Sequence, residues 1–230
     1  MTEATDDNYT GGLLAKLFKN VAPWCWDWKY NPRLFHHMHA MGVIAANYNE
    51  LEGQFYRLFF LNMHKFEVGK LVFSKLNNAE RMEVALKAAE TEPLAFGELF
   101  EHFISGYGIA TENRNILMHS KAHNAWPKEA DLSHLTLAKA SKKSPDQNNF
   151  ISLDISELRN IANDIDQLTN FGFRLFMWRV ALPTGGLIIW DDGEQYRPSL
   201  PDKPAPPRRL VLGDQPTMAS TLPRSSSSGK

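Results

Sequence analysis

The sequence predicts an all-α fold: a helical bundle with one core and a small β-hairpin or ordered loop inserted between its last two long helices. Apolar residues recur at spacings of three and four over two long stretches, 44–76 and 158–182, as on the buried face of a helix. Between them, residues 135–155 alternate apolar and polar side chains on either side of a polar run, which is typical of strands. The 230 residues are 43% hydrophobic and 22% charged, which is enough apolar material for a core.

The first long helix is expected over residues 44–76. Its buried stripe consists of Ile44, Tyr48, Leu51, Phe55, Phe59, Met63 and Phe66. Asn77-Asn78 interrupts the pattern, and a short helix over 79–89 follows and ends before Pro93.

Another helix is expected from Leu94, with a break or kink at Gly106 and Gly108. The helix then resumes from Thr111 to about Ser120. Asp154 or Ser156 can cap the last long helix. Its stripe consists of Leu158, Ile161, Ile165, Leu168, Phe171, Leu175, Trp178 and Leu182.

The composition divides the chain into three parts. Residues 1–41 form a Trp-rich arm that either packs over the bundle or exposes an apolar partner surface. Residues 42–183 form the helical domain, and residues 184–230 form a Pro/Ser-rich, largely disordered tail. Within that tail, residues 204–209 could adopt polyproline II and be read by a partner, or remain solvated.

Charge and cysteine content exclude several classes of protein. The formal net charge is -1, so a broad basic surface for nucleic acid is absent and RNA contact would depend on a local patch. Cys25 is the single cysteine, which excludes an internal disulfide framework and fits a reducing compartment. No signal peptide or membrane span is predicted, and we therefore expect a cytoplasmic protein without a membrane partner.

The chemically informative segment is Arg114-Asn115-Ile116-Leu117-Met118-His119. On a helix, Asn115 and His119 are one turn apart, so the amide can hydrogen-bond the imidazole and fix its tautomer. Arg114 can swing toward the same region and offers planar donors for a phosphate. A histidine and an arginine arranged in this way can cleave RNA without a metal. Further donors and cations follow directly: Ser120, Lys121, His123 and Lys128.

Glu52 can complete this set. It lies within the stripe of the first long helix, between Tyr48 and Phe55, where an unpaired carboxylate would be costly. Arg114 is the cation expected to pair with it. Alternatively, Glu52 lies at the edge of the stripe and reaches water.

Arg114-Asn115-x-x-x-His119 resembles the Arg-x(4–6)-His motif of the HEPN superfamily, the higher eukaryotes and prokaryotes nucleotide-binding domains. The order of helices over residues 42–182 is similar as well. The resemblance implies a metal-independent endoribonuclease that needs no cofactor, acts as a homodimer on RNA, and works in a toxin–antitoxin or defence setting with an antitoxin or regulatory partner. It assigns catalysis to Arg114 and His119 with support from Asn115; Glu52, Ser120 and Lys121 are auxiliary.

Two alternatives to catalysis stay open. Members of this superfamily also serve as non-catalytic modules that bind nucleotides, RNA or proteins. Arg114 and His119 can also be purely structural, as a surface arginine and a core-edge histidine satisfied by Asn115. A metal site at His36, His37 and His39 is disfavoured, because the sequence nearby supplies no carboxylate or further ligand.

Overall fold

The computed structural model of the chain describes residues 34–63, 66–122, 133–141 and 148–213. The tryptophans of the predicted arm, His123, Lys128 and residues 214–230 lie outside the described residues. The first helix begins at Phe35, so residues 35–41, which the composition assigns to the arm, belong to the helical domain.

The described residues are mostly helical, with a small antiparallel sheet. Their α-helices are α1 (Phe35–Asn62), α2 (Phe66–Lys75), α3 (Asn78–Ala89), α4 (Leu94–His119) and α5 (Ile155–Ala181). Their strands are β1 (Lys121–Ala122), β2 (His134–Ala140), β3 (Asn148–Asp154), β4 (Ile188–Ile189) and β5 (Gln195–Tyr196). None of these helices combines the length and apolar character that crossing a membrane requires.

The three long helices, α1, α4 and α5, pack against one another. Helix α4 runs antiparallel to α1, because Tyr48 contacts Thr111 while Phe55 stacks on Tyr107. It also runs antiparallel to α5, so α1 and α5 are parallel. The C-terminus of α4 therefore lies at the same end of the bundle as the N-termini of α1 and α5. The largest fully buried side chains are Tyr107, Phe55, Phe59, Phe96, Phe100 and Phe103.

The predicted single helix over residues 44–76 is wrong, since α1 ends at Asn62 and α2 begins at Phe66. Phe73 of α2 packs against the aromatic cluster of α1, where its ring contacts Phe55 and Phe59. Gly69 allows this approach, because a Cβ at that position would lie 2.8 Å from the Phe60 ring. Burial of aromatic surface thus outweighs the continuous helical pattern.

The predicted break at Gly106 and Gly108 is also wrong, because α4 is continuous from Leu94 to His119. A Cβ on Gly108 would lie 2.7 Å from the Met82 side chain, and one on Gly106 would lie 3.0 Å from Leu168. These glycines therefore serve close packing against α3 and α5. The helix tolerates them because the contacts offset their low helix propensity.

The predicted hairpin is present as β2 and β3, with Leu135 opposite Leu153 and Leu137 opposite Ile151. Strand β1 is not predicted by the sequence pattern; it adds a third strand by pairing Lys121 with Ala138. Asp154 caps α5: its side chain accepts from the Glu157 amide, and the Glu157 carboxylate accepts from the Asp154 amide. This capping box begins α5 where the hairpin ends.

Residues 198–213, here called the C-terminal strap, follow α4 in an extended conformation. The Lys203 ammonium lies 3.8 Å from Glu98, the His102 ring donates to the Pro204 carbonyl at 2.9 Å, and Arg209 pairs with Glu112 at 2.7 Å. From Glu98 to Asn113, α4 covers about 22 Å. The seven residue steps from Lys203 to Leu210 can span that length only if this part of the strap is extended.

Asn113 holds the strap from inside the bundle. It is 1% exposed, and its amide donates to the Arg208 carbonyl at 2.7 Å while its oxygen accepts from the Leu210 amide at 2.9 Å. The Arg208 guanidinium and amide both bond Asp164 of α5. The strap ends at Gly213, which pairs with Phe150 of β3. The bundle thus supplies partners for the backbone and cations of the strap, which belongs to the described part of the Pro/Ser-rich tail.

We expect Asn113→Ala to lower the free energy of unfolding by about 1–3 kcal/mol, because it leaves two partly buried backbone groups of the strap without their partner. Urea unfolding measures this loss. Asn170→Ala is the matched control, since Asn170 is exposed and bonds only the neighbouring turn of α5. An equal stability of the Asn113 and Asn170 variants would contradict the role of the strap.

Candidate functional site

The motif occupies the last two turns of α4, at the end where α1 and α5 begin. Arg114 and Asn115 are half-buried, whereas His119 is exposed. The chain then passes through Ser120 into β1, so Lys121 is held at the edge of the three-stranded sheet. The helix and the sheet together fix the position of every predicted site residue except Glu52.

Arg114 is held by two groups. Its Nη1 donates to the Asn115 side-chain oxygen at 3.1 Å, and its Cζ lies 5.4 Å from the centre of the Tyr48 ring. A guanidinium over an aromatic face gains a cation–π attraction. No other hydrogen bond joins this guanidinium to the described residues, and it has five N–H donors in all. Most of its donors thus have no partner among those residues.

A layer of hydroxyl groups supports the Tyr48 ring. Its hydroxyl lies 2.9 Å from Thr111 Oγ1 and 3.3 Å from the Tyr107 hydroxyl. Thr111 donates to the Tyr107 carbonyl, and the Tyr107 hydroxyl donates to Asn78 of α3 at 2.9 Å. The sequence pattern places Tyr48 in an apolar stripe and does not predict these hydroxyl contacts. The sequence did contain a hint of these contacts: Tyr48 is a tyrosine in an otherwise apolar buried stripe, and a buried hydroxyl group needs a hydrogen-bond partner.

Glu52 does not pair with Arg114, contrary to the pairing expected from the sequence: no nitrogen of Arg114 lies within 4.0 Å of its carboxylate oxygens. The half-buried carboxylate lies instead where its charge acts on Tyr107. Burial raises the pKa of Tyr107 well above its ordinary value, and the neighbouring Tyr48 hydroxyl and the Glu52 charge act in the same direction. The charge of Glu52 thus acts on Tyr107, although no hydrogen bond joins the two side chains.

The expected hydrogen bond between Asn115 and His119 is not formed; the Asn115 oxygen accepts a hydrogen bond from Arg114 instead. The five-residue separation places Arg114 and His119 about 140° apart around the helix axis. The His119 ring forms no hydrogen bond with the described residues. Within one chain, the Arg114 and His119 side chains therefore lie on different sides of α4.

Lys139 is a cation near the motif that the sequence pattern does not predict. It lies on the inner face of β2, and its ammonium donates to the Asn115 carbonyl at 3.2 Å. The missed pairing of β1 with β2 brings it there. Ser120, expected as an extra donor, uses its hydroxyl proton on the Ile116 carbonyl. Arg114, His119, Lys121 and Lys139 thus surround the C-terminus of α4, whose carbonyl groups also favour cations.

Two grooves on the described surface lie outside the motif. The groove between α1 and α5 and the larger one between α3 and α4 are both lined without Arg114, Asn115 or His119. Within the described part of the chain, no three histidine, cysteine, aspartate or glutamate side chains converge as metal ligands. The motif in a single chain is therefore an exposed cationic helix end.

Comparison with family models, with curated proteins and with solved structures yields no match. The resemblance to the HEPN superfamily consequently rests on the motif residues and on the order of the helices alone.

The raised pKa of Tyr107 predicts that folding stability falls as the pH rises above its ordinary pKa of 10.0. There the unfolded chain loses the phenol proton while the folded chain retains it, so stability decreases by up to about 1.4 kcal/mol per pH unit. Below that value both states are protonated and this slope vanishes. Urea unfolding between about pH 9 and 11 tests it.

Tyr107→Phe should lose this part of the slope, and Tyr196→Phe, at an exposed position, should retain it. The same slope in the wild type and in Tyr107→Phe would show that Tyr107 does not keep its proton in the folded state.

Proposed function

We propose that the protein is a metal-independent RNA endonuclease of the HEPN type, with Arg114 and His119 as its catalytic residues. The observation that supports this is the end of α4, where Arg114 is held over Tyr48 and His119 is exposed to an incoming substrate. Lys121 and Lys139 add positive charge next to both. This local patch supplies the attraction for phosphate that the formal net charge of -1 does not.

Two copies of the chain complete the site. Arg114 and His119 diverge by about 140° around α4, so one phosphate is poorly placed to meet both within a chain. A homodimer that apposes the two α4 ends brings the arginine of each copy to the histidine of the other. Such a closed two-fold arrangement is common among homo-oligomers.

The chemistry needs one base and one fixed cation. The His119 imidazole removes the proton of a ribose 2′-hydroxyl, whose oxygen then attacks the adjacent phosphorus. The bond from phosphorus to the 5′ oxygen breaks, and that oxygen takes up a proton from the solvent. Arg114 offsets the negative charge that develops on the phosphorane oxygens. The products are a 2′,3′-cyclic phosphate and a 5′-hydroxyl end.

Asn115 holds the Arg114 guanidinium in this scheme, a different task from orienting His119. Lys121 and Lys139 bind the neighbouring phosphates of the strand. A ribonuclease of this kind is harmful unless controlled, which fits a cytoplasmic toxin or defence role with a protein partner that restrains it.

A non-catalytic binding module is the second candidate. The observation in its favour is that Arg114 already has a ring and an amide as partners, and that neither described groove contains the motif. In that case the cationic end of α4 binds a nucleotide, an RNA or an acidic protein surface without turning it over.

Cleavage of a single-stranded RNA in EDTA tests catalysis. We expect the wild type to release 5′-hydroxyl ends, which a polynucleotide kinase can label, and His119→Ala to lower the rate by a factor of about 10²–10⁴. Arg114→Lys keeps the charge but loses the planar donors and should also cut slowly. Arg174→Ala on the exposed face of α5 is the matched control. Unchanged cleavage by both motif variants would refute catalysis by these residues.

Mixing Arg114→Ala with His119→Ala tests the shared site. A mixed dimer has one cleft with an intact Arg114 from one copy and an intact His119 from the other. We therefore expect two inactive preparations to regain measurable cleavage when they exchange subunits. Continued inactivity, with subunit exchange verified by native mass spectrometry, would mean that each site uses both residues of one chain.

A further inference from the structure

A groove separate from the motif lies between the N-terminal halves of α1 and α5. Its volume is about 250 Å³, and it is lined by His36, His39, Ala40, Val43, Ile155, Arg159, Ala162 and Asn163. The parallel packing of the two helices, marked by the bond from Asn47 to the Ala162 carbonyl, places their first turns side by side.

The lining has the character of an anion site. Two imidazoles, a guanidinium and an amide line the groove together with apolar side chains, and no carboxylate belongs to the lining. Arg159 is exposed and has no ion pair with the described residues. A guanidinium without a carboxylate partner, beside imidazole and amide N–H donors, suits the oxygens of a phosphate.

The rings of the two histidines have a defined setting. The Phe35 ring stacks on His39 with centres 6.4 Å apart, and meets the His36 ring edge-on at 5.7 Å. Both imidazole rings thus contact the Phe35 ring, which restricts their rotation. The two histidines therefore lose less conformational entropy when a ligand binds.

The backbone adds to the attraction. Positive partial charge develops at helix N-termini, and both α1 and α5 begin at this groove. The first turn of α1 contains no acidic residue, and no side chain caps it. On α5, Asp154 and Glu157 oppose the effect in part, although both are engaged in the capping box and neither lines the groove.

We propose that this groove binds a phosphate group through Arg159, His36, His39 and Asn163. Its volume falls below the 300 Å³ or more that is typical of sites for drug-sized ligands, which fits a phosphate with little else enclosed. A metal ion is the wrong ligand, because the lining offers two imidazoles and no carboxylate. The site does not depend on catalysis by Arg114 and His119.

Three probes distinguish the sources of the phosphate: inorganic phosphate, adenosine monophosphate, and a single-stranded 2′-O-methyl oligonucleotide that cannot be cleaved. Calorimetry measures the first two and fluorescence anisotropy the third, on the full chain in a buffer free of phosphate. We expect Arg159→Gln to weaken binding by roughly tenfold. Arg174→Gln, on the exposed face of the same helix, should bind like the wild type.

His36→Gln with His39→Gln provides a second variant, and melting curves verify that each variant folds. Equal affinity for the two small probes assigns the groove to a small phosphate compound, whereas a much tighter oligonucleotide assigns it to a nucleic-acid strand. Both outcomes support the proposal if Arg159→Gln weakens binding. Absence of saturable binding, or binding lost only in His119→Ala and Arg114→Lys, would overturn it and leave the proposed ribonuclease untouched.

Discussion

Burial of the Tyr107 side chain is the constraint on which the rest of the structure depends. Tyr107 is fully buried, and its ring stacks on Phe55 at 4.4 Å. A hydroxyl in that position must be paired, or it would cost about 1–3 kcal/mol. Asn78 and Tyr48 meet this need, so one side chain of α4 ties together α3 and α1. The rotation of α4 about its axis is thereby fixed, and with it the direction in which each motif residue points.

The rotation of α4 about its axis explains why Arg114 contacts the bundle whereas His119 is exposed. Because Tyr107 and Thr111 face α1, Arg114 follows one turn later on nearly the same side and meets the Tyr48 ring. His119 falls on another side of the helix and stays exposed. The antiparallel course of α4 brings both to the end where α1 and α5 begin. Two cationic features, the motif and the groove around Arg159, therefore share one end of the bundle although no residue belongs to both.

Local patterns in the sequence predicted the parts of the fold that local forces decide. The apolar stripes are buried in α1 from Ile44 to Phe59 and in α5 from Leu158 to Leu175, and the cap at Asp154 and the hairpin are present. The errors occur where a distant partner decides the outcome. Gly106 lies within a continuous helix and packs against Leu168, and the strap lies along α4, where Asn113 bonds the carbonyl of Arg208, 95 residues later in the chain. Likewise, the spacing of Asn115 and His119 predicts a hydrogen bond between them. In the structure the Tyr48 ring holds the Arg114 guanidinium next to Asn115, and the Asn115 oxygen accepts from Arg114.

Helix ends are usually the least stable part of a helix, yet the end of α4 is held from several directions. Asn113 is fixed by the strap, Arg114 by the Tyr48 ring, and the Asn115 carbonyl by Lys139 of the sheet. These three contacts hold the turn that precedes His119, and the pairing of Lys121 with Ala138 holds the chain directly after it. The motif is thus preorganised, and a ligand that meets Arg114 and His119 does not have to order the backbone that carries them.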